Sequence, residues 1–225
     1  RTQYKKTIED LYKIFEEIGI GKNKTIDNGG GIVGGGGIIN NNKKCSVKEI
    51  VILGDLKHEF FHASGQEWRE VLDLLACLKE RSEKIIIIKG NHDNYLANVI
   101  KNKKNVELKD YLIINDKAFI HGNKIYPEIF DKKIKTLFLG HMHPAISIRK
   151  HAKEEKYKCF LVGKYKGKEI VILPSFFPLI EGQDLSVEDT NLAFKLNLSG
   201  FGVYVPIPGE VLNLGKVKKI GRLVS

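Results

Sequence analysis

The chain has 225 residues, 42% of them hydrophobic, a formal net charge of +10 and a pI near 9.3. That length suits one substantial α/β domain with a real core; the basic balance fits an acidic partner or substrate such as nucleic acid, or simply a Lys-rich surface, and the scattered lysines do not decide between them. No apolar run approaches the ~18 residues of a spanning helix, which excludes a membrane-spanning helix. Three cysteines (Cys45, Cys77 and Cys159) without a Cys-x-x-Cys pair exclude a disulfide framework and place the chain in a reducing, cytoplasmic compartment.

Residues 3–19 are expected to form an amphipathic helix with Tyr4, Ile8, Leu11, Tyr12, Phe15 and Ile18 on one face, ended by Gly19 and Gly21. Residues 22–44 are rich in Gly and Asn and read as a flexible surface insertion. Gly29-Gly30-Gly31-Ile32-Val33-Gly34 has the letters of a dinucleotide fingerprint but neither the preceding strand nor the following helix, so no organic cofactor is expected.

Val47–Leu53 reads as a strand running into Gly54-Asp55. A helix over 66–81 turns Trp68, Val71, Leu72, Leu75 and Leu78 inward, with Cys77 as a small buried residue. It returns the chain to a strand over Lys84–Lys89, completing a parallel strand-helix-strand unit. Within that strand, Ile85-Ile86-Ile87-Ile88 is a continuous β-branched run, the pattern of a strand buried on both faces. Asp93 follows as the expected N-cap of a short helix reaching Ile100. Tyr111–Ile114 and Lys117–Ile120 flank Asn115-Asp116, a tight hairpin turn. Thr136–Leu139 leads into Gly140-His141-Met142-His143. Further strands are expected at 146–150, 159–162, 169–173, 193–197 and 203–206. The chain is therefore a single domain over 1–225: two packed sheets with helices outside, without an internal repeat or linker.

Apolar runs ending at Gly54-Asp55, Gly90-Asn91-His92, His121-Gly122 and Gly140-His141 deliver oxygen and imidazole donors to strand ends, where sheets of this kind bind ligands. Alone, Asp55 reads as a turn aspartate, Asn91 as a turn amide and His121 as a core histidine. Together they read as a metal site, because a carboxylate can bridge two cations and imidazoles complete their shells. In an extended segment His141 and His143 would point to opposite sides. A bend at the glycine lets both reach ions in adjacent positions.

In this order, Gly54-Asp55, Gly90-Asn91-His92-Asp93, His121 and Gly140-His141-Met142-His143 resemble the motif series of the calcineurin-like metallophosphoesterases. Gly54-Asp55-Leu56-Lys57-His58 resembles the Gly-Asp-Leu-x-His of that superfamily's DNA-repair nuclease branch. Within the branch, the chain looks most like the small archaeal SbcD-related phosphoesterases, whose C-terminal signature Leu173–Leu179 also resembles.

The resemblance implies an α/β/β/α sandwich with two divalent ions at its strand ends, Mn²⁺ favoured over Fe or Zn²⁺. It implies that Asp55 bridges both ions, that Asn91, His121 and His141 complete one shell, and that His143 binds the other ion. His92 would face the substrate and protonate the leaving oxygen, and His58 would orient the phosphate at the rim. His62 and His151 match no motif and are taken as surface residues.

The family's opening Asp-x-His is absent from this sequence. It is expected before Arg1, on a strand this chain lacks, with a natural variant impaired at one metal position as the alternative. The function implied is hydrolysis of phosphodiester bonds, in DNA or RNA. The alternatives are a phosphodiesterase or phosphatase of small nucleotides or metabolites, and a catalytically impaired nucleic-acid-binding homologue. A partner ATPase or helicase and the oligomeric state are left open.

Overall fold

The computed structural model describes residues 2–18, 47–56, 65–150, 153–185 and 191–220. The stretch 22–44, Cys45, His58, His62 and His151 lie outside the described residues. Among the described residues, no helix is long and apolar enough to cross a membrane.

The four isoleucines of the central run explain the layering. α1 (Thr2–Glu17), β1 (Val47–Ile52), α2 (Gly65–Lys79), β2 (Ser82–Ile88), α3 (Leu96–Ile100) and β3 (Val106–Lys109) follow one another in the chain. The strands form a three-stranded sheet in the order β1-β2-β3, with β2 parallel to both neighbours. Ile85, Ile86, Ile87 and Ile88 are all fully buried. Because side chains alternate across a strand, Ile85 and Ile87 pack with Phe15, Val71, Leu75 and Leu78 of the helices. Ile86 and Ile88 pack on the other side with Leu112, Ile114 and Phe119 of a second sheet. Each isoleucine contributes about 2–3 kcal/mol of burial, and the strand joins two cores.

The second sheet grows from β4 (Tyr111–Ile114), β5 (Lys117–Ile120) and β6 (Thr136–Leu139). β7 (Pro144–Lys150) and β8 (Lys153–Lys158) form a hairpin, followed by β9 (Phe160–Tyr165), β10 (Lys168–Ile172) and β11 (Gln183–Asp184). β12 (Gly202–Ile207), β13 (Glu210–Lys216) and α4 (Val217–Ile220) complete the chain. The large sheet has seven strands in the order β13-β12-β9-β10-β6-β5-β4, and β11-β7-β8 form a small third sheet. β5, β6 and β10 are parallel, so their carboxyl ends share one edge. The face away from the first sheet is covered by Ile129, Phe194, Phe201 and Ile220 of α4. This is the α/β two-sheet sandwich expected; among the described residues its outer layer on that face is made of short pieces, the 3-10 turns Pro127–Phe130 and Leu198–Gly200 and α4.

Three expectations need correction. The buried stripe of α1 is Thr7 and Phe15 with Tyr4, Ile8 and Leu11 half-buried, whereas Tyr12 and Ile18 are exposed. Tyr12 instead carries the Arg81 guanidinium over its ring, at 4.1 Å from the centroid. Residues 193–197 form no strand. Phe194 is anchored in the core, and the Ala193 amide donates to the Gly122 carbonyl at 2.9 Å. Asp93 does not cap α3, whose N-cap is Tyr95 without a side-chain hydrogen bond. Cys77 and Cys159 are buried and free.

Candidate metal centre

Four segments from both sheets meet at the shared carboxyl edge: those after β1, β2, β5 and β6. Their backbones approach too closely for ordinary residues. A Cβ on Gly90 would lie 2.1 Å from Asp55 Oδ1 and 2.6 Å from the Asp55 amide nitrogen. One on Gly54, already at φ +86°, would lie 2.6 Å from His121 Nδ1. Three of the side chains offered there sit at left-handed backbone positions: Asp55 at φ 52°, His141 at 63° and His143 at 50°. Such conformations cost about 1–2 kcal/mol each for non-glycine residues, and three of them cluster at this edge. The bend that lets His141 and His143 both turn toward the site is closed by the Met142 amide donating to the Gly140 carbonyl at 2.7 Å.

His121 is the hub. It is almost completely buried, and its Nδ1 donates to the Leu53 carbonyl at 2.6 Å. A carbonyl only accepts, so Nδ1 carries the proton and Nε2 presents its lone pair to the site in the neutral ring. Three donor atoms stand 3.1 Å from that Nε2: Asp55 Oδ2, Asn91 Oδ1 and His141 Nδ1. A proton on Nε2 can satisfy one of them at a time; a cation at their centre satisfies all. Adjacent ligands of an octahedral ion with bonds of about 2.1 Å lie about 3.0 Å apart, so the spacing fits a small divalent cation. The atoms that Asp55, His121 and His141 could offer a metal ion lie within 4.8 Å of one another. His143 is outside that group.

The electrostatics suit a cation. Burial acts to raise the Asp55 carboxyl, but the hydrogen bond and charge of His121 outweigh it and hold the group below the ordinary carboxylate value. Burial acts to lower His121, and the bond to Asp55 overrides it, so the imidazole is raised. His141 and His143 are lowered, first by burial, with His121 contributing to both, so both stay neutral and able to ligate.

The His92 amide donates to Asp55 Oδ1 at 3.1 Å, fixing the carboxylate from the β2 side. Asp93 is fully buried and accepts from the Asp55 amide at 2.8 Å and the Gly90 amide at 2.9 Å. It therefore staples the two loops together, and burial raises its pKa. His58 lies outside the described residues. Sequence reasoning missed two supports that act through backbone atoms: the Leu53 carbonyl behind His121, and Asn191, whose backbone hydrogen-bonds the His141 ring. Backbone partners leave no residue-type signal to read.

A family model described as calcineurin-like phosphoesterase matches residues 7–205. No curated protein sequence matches the chain. Among solved structures, the chain is similar to a single mutant of Vps29 from Entamoeba histolytica, at 12% identity over 76% of this chain and 84% of that one, with a TM-score of 0.34. It is similar to Vacuolar Protein Sorting 29 from Cryptosporidium parvum at 16% identity, covering 76% and 96% of the two chains, with a TM-score of 0.33. Wild-type Vps29 of Entamoeba histolytica complexed with zinc gives 16% identity, 73% and 96% coverage and a TM-score of 0.29.

Proposed function

The chain belongs to the calcineurin-like phosphoesterase family, and from that premise we propose that it hydrolyses phosphodiester bonds in nucleic acid with the aid of divalent cations. The family generally acts on phosphoric esters. The observation that carries the proposal is the convergence of Asp55 Oδ2, Asn91 Oδ1 and His141 Nδ1 on His121 Nε2, each at 3.1 Å. These residues would hold one ion, with Asp55 shared toward a second ion on His143. The oxygen and imidazole donors suit Mn²⁺, Fe or Zn²⁺, and the branch resemblance favours Mn²⁺. A cation bound there supplies Lewis acidity toward a phosphoryl oxygen and lowers the pKa of water.

The chain's own residues do the rest. Asp55, fixed by the His92 amide and by His121, keeps its carboxylate ionised at neutral pH. His92, one position beyond Asn91, donates a proton to the leaving oxygen. His58 orients the phosphate. A nucleic-acid substrate is supported by the net charge of +10 and by the likeness to the SbcD-related branch.

The test is turnover of single-stranded DNA, duplex ends, cyclic nucleotides and bis-p-nitrophenyl phosphate with Mn²⁺, before and after chelation. Metal-dependent DNA cleavage is expected. Cleavage of the small substrates alone would replace nucleic acid by a nucleotide or metabolite ester.

A second reading follows from His143, which among the described residues stands outside the group formed by Asp55, His121 and His141. On that reading the chain holds one ion and binds nucleic acid without cleaving it. Metal analysis separates the two: two equivalents per chain support the dinuclear enzyme, and one equivalent with salt-sensitive DNA binding but no cleavage supports the binding homologue.

A further inference from the structure

We propose that the edge of the large sheet opposite the metal centre carries a second site, which binds a nucleoside polyphosphate through a cluster of lysines around Lys168. β6 and β10 are parallel, and their carboxyl ends face the metal centre. At their amino ends an open pocket of ≈ 730 Å³ is lined by Pro127, Phe130, Lys132, Lys135, Lys166 and Lys168, among others. That volume lies within the range that holds a nucleotide-sized ligand, roughly 300–1,000 Å³. β6 is only four residues long, so roughly 13 Å of strand separates the two sites.

Lys168 is the unusual member. It is only 7% exposed, a state lysines almost never adopt without a charged partner. Its Nζ donates to the Asp131 carbonyl at 2.6 Å and the Ile134 carbonyl at 2.5 Å. An ammonium has three donors, so one N–H is left over, and among the described residues no carboxylate pairs with it. A purely structural clamp explains the two carbonyls. It explains neither the missing counter-charge nor the three further lysines on the same pocket.

Lys166 is held at the wall, its Nζ 5.0 Å from the Phe130 ring centroid and 5.3 Å from that of Tyr165. Lys132 and Lys135 are exposed. Of the carboxylates nearby, Asp116 pairs with Lys135 at 4.0 Å, Glu169 accepts from Thr136 Oγ1 at 3.5 Å and Asp131 accepts from the Lys133 amide at 2.8 Å; among the described residues none of them pairs with Lys132, Lys166 or Lys168. Phosphates on the lysines would supply the anion that Lys168 lacks. Pro127, Phe130 and Ile134 offer an apolar floor for a sugar or base.

The site is independent of the metal centre, and the test keeps them apart. ATP is titrated calorimetrically into the metal-stripped full chain, into a Lys135→Glu, Lys166→Glu double variant and into His141→Ala. Lys168 is left intact because it also ties two backbone segments. Roughly tenfold or greater loss of affinity is expected in the lysine variant, none in His141→Ala, and inorganic phosphate should bind at least roughly tenfold more weakly than ATP.

Acetylation footprinting of the wild-type chain should show ATP protecting Lys132, Lys135 and Lys166, a readout that needs no variant. Equal affinity in wild type and lysine variant, loss confined to His141→Ala, or no binding at millimolar ATP would overturn the proposal. So would phosphate binding as tightly as ATP, which would make the pocket a bare anion site.

Discussion

The two ends of β6 face solvent with opposite chemistry and opposite construction. At the carboxyl end, backbone segments from two sheets interlock so tightly that a Cβ on Gly90 would lie 2.1 Å from Asp55 Oδ1. At the amino end, the turn glycine Gly167 has nothing within 4 Å of a built Cβ, and only its φ of +79° demands glycine. One edge is assembled for fixed donor geometry and the other for an accessible, cationic pocket. Preorganisation is concentrated where ligand spacing must be held to tenths of an ångström, while lysines on long stems tolerate a looser frame.

The contrast can be broken from either side. Asp55→Ala removes the carboxylate opposite His121 Nε2 and is expected to abolish metal uptake and reduce phosphodiester turnover to background, measured by metal analysis and a bis-p-nitrophenyl phosphate assay. His92→Ala should lower turnover by about 10²–10⁴-fold while metal content is unchanged, because the variant removes the proposed proton donor and no proposed ligand. Metal loss with activity retained would reverse that assignment. Gly90→Ala forces the Asp55 carboxylate and backbone aside and should cost about 2–3 kcal/mol in urea unfolding, together with weaker metal binding. Gly167→Ala meets open space and should cost only about 1 kcal/mol, the strain of a left-handed alanine, with metal binding untouched. Equal costs for the two glycine variants would erase the distinction between the ends.

Legibility in the sequence tracks how strongly burial shaped each segment. The run Ile85–Ile88 was readable because both faces are buried, and the hairpin 111–120 because Asn115 takes φ 54°, a conformation asparagine tolerates. β8 (KEEKYK) and β13 (EVLNLGK) left no such pattern: one is a charged strand, the other a largely exposed edge. The stretch 193–197 read as a strand where the chain instead pins Phe194 into the core.

At the site, Asp55, Asn91, His121 and His141 were readable as donors placed just after strands, and the structure brings them together. The direction of Asp93 was not readable, because a carboxylate before a helix signals a cap as readily as a staple between loops. Nor were the Leu53 carbonyl and the Asn191 backbone, since any residue type supplies the same atoms.

Anomalous diffraction from crystals of the full chain equilibrated with Mn²⁺ tests the shared ion most directly. A peak within about 2.3 Å of Asp55 Oδ2, Asn91 Oδ1, His121 Nε2 and His141 Nδ1 together is the result predicted. A map with no peak among these four atoms at saturating Mn²⁺, or with His121 Nε2 turned away from the ion, would contradict it.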